Sequence, residues 1–195
     1  MISRPLKDTE RHSDLHAIEY ARNPFVFAAA AAAPAVALTT SELVRIYNAQ
    51  TKTWPDGRVL RLVLRPQSES DTEIVQSLSS EMHQTVTVAL GRDGINVAIT
   101  DKASADSLET IPGALGTTTL AQIISEKRAL QPLALNGVTP SLGTLAQGTY
   151  PHYNTFFLVT SASASPLVGQ FVMFMRSAAG QALLEQNGHQ VKPAK

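Results

Sequence analysis

Apolar and polar positions alternate along "GRVLRLVLR", Gly57 to Arg65, as they do in a half-buried strand. The strand runs into "PQSESDTEIVQSL", where Ser70 and Glu73 have capping-box spacing and Ile74, Val75 and Leu78 continue with helical period. A second such box, Thr39 with Glu42, opens a short helix with Leu43, Ile46 and Tyr47 on one face, ending near Gln50. "TVTVAL" (Thr85 to Leu90) and "INVAIT" (Ile95 to Thr100) read as further apolar strands, joined by a turn at "GRDG". Ser104 is placed to cap a helix through Ile111, and "PGALGTTT" (Pro112 to Thr119) reads as a buried strand and turn. "QPLALNGVTPS" (Gln131 to Ser141) and "YNTFFLVTS" (Tyr153 to Ser161) are expected as strands. Ser165 and Pro166 start a helix with Leu167, Phe171, Phe174 and Met175 inward, and Ser177 starts another that stops at Gly188. Strands and helices alternate without tandem repeats, which predicts an α/β fold.

The opening stretch has two readings. Free N–H groups at a helix start attract anions, and Arg65, five residues before Ser70, would add a donor fork to the same spot. The plainer reading is an ordinary strand, loop and helix with a solvated arginine.

Composition narrows the choice of function. With 195 residues, 44% of them hydrophobic, the chain is long enough for one large domain or two small lobes with real cores. Lysine plus arginine equals aspartate plus glutamate at 16 each, so no global field recruits nucleic acid or an anionic membrane, and charge selectivity must be local. The absence of cysteine excludes disulfides, thiolate metal sites and cysteine nucleophiles. The run "PFVFAAAAAAPAVA", Pro24 to Ala37, ends in an A-x-A pattern. It is too short for a membrane span, and the acidic residues before it do not suit a signal peptide, so a buried strand or crossover is expected.

Other chemistry-bearing residues form weaker groups. His12 and His16, one helical turn apart around Asp14, could begin a metal site on a surface helix but have no third ligand. Trp54 and Tyr47 could stack on a ligand or pack a core, and His152 could titrate near a cleft or be structural. No serine or threonine nucleophile has a histidine partner that spacing identifies, so catalysis is not indicated.

Seven pieces carry a resemblance over nearly the whole chain. "LTTSELVRIYNAQTKTWPDG" followed by "RPQSESDT" resembles the helix, tryptophan turn and anion loop of the phosphate-binding proteins of ABC transporters. "PGALG", "NGVTPS", "GTYPHYNTFFLVT" and "FVMFMRSAAGQALLEQNG" are similar to that family in the same order, and "SRPLKDTE" resembles its segment after the second strand. The resemblance implies a type II periplasmic binding protein, with two α/β lobes that close on a ligand and no bond chemistry or cofactor. Residues 1–36 would supply part of the first lobe and the first crossover, residues 37–131 the second lobe, and residues 132–195 the return crossover and the remainder of the first lobe. The Ala-rich run and "LALNG" would be hinge strands.

The same resemblance implies a ligand, phosphate or a related tetrahedral oxyanion, and a partner, the permease of an ABC transporter, with a periplasmic or secreted location. Carried over by position, the ligand-binding residues are Arg65, Ser70, Asp71 and Thr72, with Ser3 and Arg4 from the first lobe. Asp71 stands where the family has glycine and would repel a dianion unless the ligand brings a proton that the carboxylate accepts. Arg4 replaces an acidic residue and would shift the local charge toward plus. The family's first strand, glycine/serine-rich loop, helix and second strand have no counterpart here, which implies a fragment or wrongly started reading frame, or missing elements supplied by another chain, or a reduced lobe. An incomplete first lobe would leave sheet edge and apolar helix surface uncovered, for which a homo-oligomer that completes it is expected. Three functions follow: an oxyanion-binding protein, a degenerate relative serving protein interaction or signalling, and an enzyme on the same scaffold.

Overall fold

The computed structural model describes residues 1–11, 14–34 and 36–191. One long strand organises them. β1 (Leu15–Ala30) changes character and partners at Pro24. Its first half pairs antiparallel with β6 (Tyr153–Ser161), from Leu15 opposite Ser161 to Pro24 opposite Tyr153, and at Ala21 and Arg22 also with β7 (Gln190–Val191). Its second half pairs antiparallel with β4 (Ala114–Thr119) and β5 (Leu130–Pro132). A proline has no N–H for the ladder, so it is tolerated where one set of partners ends and the next begins. A register shift between Glu19 and Ala21 bends the first half.

Beyond β4 the sheet continues with β2 (Arg61–Leu64) and β3 (Asn96–Val97), in the order β3-β2-β4-β1-β5. β2 runs parallel to both neighbours. Helices cover both faces: α1 (Thr40–Tyr47), α2 (Ser70–Ser77), α3 (Ser80–Leu90), α4 (Asp101–Thr110), α5 (Leu120–Ser125) and α6 (Leu142–Ala146). α7 (Pro166–Arg176) and α8 (Ala178–Gln186) close the chain before β7.

The two-residue period of the strands explains why there are two cores. Phe25, Phe27 and Ala29 of β1, with Leu62, Leu64 and Leu115, face the cluster containing α1 and α3 residues Leu43, Ile46, Met82 and Val86. Val26, Ala28, Val63 and Ala114 point to the opposite face and pack with Ala105 and Leu108 of α4. A strand buried on both sides must be apolar at every position, and the alanines at its end allow close packing against β4 and β5. The expected buried strand in the Ala-rich run is therefore found at Phe25–Ala30, while Ala35 lies outside the described residues. Gly113, at φ +76, precedes β4 where a Cβ would stand 2.0 Å from the Val59 carbonyl oxygen.

Several local expectations are corrected. "TVTVAL" is the end of α3, because Met82, Thr85, Val86 and Ala89 recur at helical spacing toward the core and Ser79 caps the helix start. Thr100, not Ser104, caps α4, and Ser104 is buried inside it with its hydroxyl donating to the Thr117 carbonyl. α7 begins at Pro166 as expected, but Leu167, Phe171 and Phe174 are exposed rather than inward. The segment with His16 is strand β1 and not a helix, and His12 lies outside the described residues. Trp54 and Tyr47 pack in the core, the indole N–H donating to the Gly113 carbonyl at 3.0 Å.

Candidate functional site

Pro66 holds Arg65 out of helical conformation, and three residues later Glu69, in extended backbone, ends the loop so that α2 starts at Ser70. The expected capping box is not formed. Ser70 is the first helical residue, Glu69 occupies the capping position, and its side chain makes no capping bond. The first N–H groups of α2 are thus left for another partner. They open onto a cleft of about 630 Å³ whose walls come from Ser68 to Asp71, the end of β4, the first residues of the chain, and Asn154 and Phe156 of β6.

Of the residues proposed from sequence, Ser3, Arg4, Ser70 and Asp71 meet on this cleft. Arg65 and Thr72 lie behind its surface. The Thr72 hydroxyl is turned inward, at 3.1 Å from the Arg65 carbonyl oxygen and 2.8 Å from that of Pro66, where it fastens the loop between β2 and α2. Arg65 is neither solvated nor free. Its Nη1 donates to the Ala98 carbonyl at 2.6 Å, and its Nη2 donates to Asp101 Oδ1 at 2.7 Å and to Glu69 Oε2 at 3.3 Å. The arginine side chain is 3% exposed and that of Asp101 is 78% exposed, so a solvent-facing carboxylate sits where an anionic ligand would meet the guanidinium. Arg65 Nε is buried without a hydrogen-bond partner among the described residues.

Asp71 is the buried acid of the cleft. Thr117 Oγ1 donates to its Oδ2 at 3.3 Å and Asn154 Nδ2 to its Oδ1 at 3.4 Å, both long contacts. Burial, and then the charge of Asp101, push the Asp71 carboxyl up to about 6 against the opposing pull of Asn154, Arg65 and Thr117. At neutral pH the group is mostly an anion and an acceptor. Below about pH 6 it becomes a donor.

Across the cleft, Arg4 makes a bidentate pair with Glu10 at 2.6 and 2.7 Å. The Arg4 hydrogen bond pulls Glu10 down to about 2, and the pair cancels the positive charge that the sequence led us to expect there. Lys7 adds a cation, whereas Glu69, Asp71, Glu73 and Asp101 all line the cleft. Residues that sequence reasoning missed are Thr117, Thr118 and Thr119 at the end of β4, Asn154 on β6, and Asp101. The run of threonines after a buried strand was a visible signal, since hydroxyls at the mouth of a sheet are available to a ligand.

The mixed sheet with helices on both faces and a polar cleft at strand ends is a type II periplasmic-binding-protein-like fold. Residues 1–179 match the family model of the PBP superfamily domain, and the chain belongs to that family. Solved structures agree on the fold. A Clostridium perfringens protein crystallised with bound phosphate, and assigned to phosphate ABC transporter substrate binding, aligns with 99% of this chain and 77% of its own, at 16% identity and a TM-score of 0.76. A phosphate-binding protein from Stenotrophomonas maltophilia aligns with 99% of this chain and 75% of its own, at 14% identity and a TM-score of 0.67. An ABC-type phosphate transport receptor from Vibrio cholerae aligns with 96% of this chain and 77% of its own, at 16% identity and a TM-score of 0.59. At these identities the likeness is one of fold. No curated protein matches the chain. Among the described residues no helix is long and apolar enough to cross a membrane.

Proposed function

We propose that the chain binds phosphate, or another tetrahedral oxyanion that carries a proton, in the cleft at the start of α2 and presents it to an ABC-transporter permease. The observation that carries this reading is the meeting of a buried carboxyl, Asp71, with hydroxyls from Ser70 and the end of β4 beside unpartnered helix N–H groups. The N–H groups and hydroxyls donate to the anion's oxygens, and ionised Asp71 accepts the one proton that the ligand brings. A fully deprotonated anion such as sulfate offers no such proton. Arg65 joins when Asp101, already largely in solvent, swings away and a ligand oxygen takes its place on Nη2. In this reading residues 37–131 form the lobe that carries the anion loop, Ser3 and Arg4 belong to the facing lobe, and the location is periplasmic or secreted. The same reading includes a homo-oligomer, so light scattering on a size-exclusion column should give a multiple of the monomer mass.

A second reading is favoured by one observation, the four carboxylates on the cleft. With Arg4 neutralised by Glu10, they suit a module that has kept the fold for protein interaction and no longer holds an anion. Isothermal titration with phosphate, sulfate and molybdate at neutral pH separates the two. The first reading expects saturable heat with phosphate, weaker heat with sulfate, and a loss of roughly tenfold to a hundredfold in phosphate affinity for Asp71→Asn. No heat with any of the three from folded protein, together with a stable complex with another protein, would establish the second.

A further inference from the structure

On another part of the molecule, a second cleft of about 420 Å³ opens beside the outer edge of the sheet, between the end of α1, β2 and the turn before β3. β3 has only two residues and pairs with Val63 and Leu64 alone, so Arg61 and Leu62, held by β4 on their inner side, face this cleft on the other, while the Leu60 N–H donates to the Lys52 carbonyl at 2.9 Å at the start of the edge. Leu60, Ile95 and Ile111 make its walls apolar.

The charged residues that line it are all of one sign. Lys52, Arg61 and Arg92 line the cleft, and no aspartate or glutamate does. None of the three makes an ion pair with a carboxylate among the described residues. The two arginines are oriented by backbone carbonyls instead: Arg61 Nη1 donates to the Pro112 oxygen at 2.6 Å, and Arg92 Nη2 donates to the Tyr47 oxygen. A carbonyl partner fixes a guanidinium in place but leaves its charge uncancelled. In a chain with zero formal net charge, three uncompensated cations around one apolar cleft form a local field that only an anion would balance.

We infer that this cleft is a second ligand site, for a small amphipathic anion: a carboxylate on an apolar body of medium chain length. The headgroup meets Lys52, Arg61 and Arg92, and the body lies on Leu60, Ile95 and Ile111. The volume lies within the roughly 300–1,000 Å³ of small-molecule sites. A compact ligand suits the cleft better than an extended peptide, because the open strand edge ends where β3 begins to pair and offers no run of backbone to follow. The inference is independent of any oxyanion bound at α2.

The test uses the whole ¹⁵N-labelled chain, titrated at low salt with octanoate, with 1-octanol and inorganic phosphate as controls. Octanoate is expected to give saturable amide shifts at Lys52, Ile95 and Asn96, with octanol roughly tenfold weaker for want of a charge and phosphate weak for want of a body. Lys52→Glu, at an exposed position outside the cores, should weaken octanoate roughly tenfold without unfolding the chain. The inference is overturned if octanoate shifts do not saturate or are unchanged in Lys52→Glu. It also fails if octanol or phosphate moves the same amides with equal affinity, or if the shifts gather on α7, where Leu167, Phe171 and Met173 offer a merely greasy surface.

Discussion

The two clefts divide the charge of a chain that has none overall. At the start of α2, four carboxylates crowd one cleft, while Arg4 on its wall is paired with Glu10 and Arg65 behind it with Asp101. At the edge of β2, three cations stand without a carboxylate. A net charge of zero therefore says little about what either region binds, because fields act over about one Debye length, roughly 10 Å in ordinary salt. Function here depends on which charges are cancelled by neighbours and which are left.

Asp71 is where the comparison can be broken most severely. Its carboxyl is raised from 3.8 to about 6 by burial first and Asp101 second. The folded state thus holds the proton more tightly than the unfolded chain does. The stabilisation associated with the protonated group is complete below about pH 4 and is lost as pH rises through about 6. Above that pH the buried anion costs about 3 kcal/mol. Asp71→Asn has no such charge, so urea unfolding should show it more stable than the parent by up to that amount at pH 7 to 8, with the difference closing by pH 4. The same substitution should weaken phosphate, which would make Asp71 a group kept at the expense of stability. An Asn variant no more stable than the parent at pH 8 would show that the carboxylate is better solvated than its burial implies.

Asp101→Asn comes next in size and sharpens the contrast between the clefts. It removes the carboxylate that occupies Arg65 Nη2 and the second cause of the raised Asp71 carboxyl. Phosphate affinity should rise roughly tenfold, and the Asp71 carboxyl, followed by NMR against pH, should titrate below its parent value. If affinity falls instead, Asp101 holds Arg65 in place for the ligand and does not compete with it.

Much of this architecture was legible along the chain, and what was not has identifiable physical reasons. The β-branched and aromatic stretch Tyr153–Ser161 is a strand over those same residues, and two helix starts are marked locally, one by Pro166 at the first turn and one by the Ser177 side chain, which accepts from the Gly180 N–H. Thr85 to Leu90 misled because alternating threonine and valine suit a strand, whereas the surrounding core selects Met82, Val86 and Ala89 at helical spacing. In the site, the approach of Ser70 and Asp71 to a cleft could be read from the helix start. The pairing of Arg65 with Asp101 joins residues 36 apart, and Asp71 finds Thr117 and Asn154 at separations of 46 and 83. No periodic pattern carries such contacts. They arise from the order of strands in the sheet, which brings the end of β4 and the start of β6 to the front of α2.

The smallest expected effect is also the most discriminating between the clefts. Raising salt from about 50 to 500 mM shortens the Debye length from roughly 14 to 4 Å. Lys52 and Arg61 are exposed, so octanoate binding at the β2 edge should weaken several-fold over that range. Phosphate at α2 should change less than twofold, because its donors are N–H groups and hydroxyls at contact distance and the buried Asp71 is little screened. Titrations of both ligands across the salt series measure this directly. Equal salt sensitivity would mean that phosphate is held by the diffuse charge of Lys7 at the mouth of its cleft, and not by the groups around Asp71.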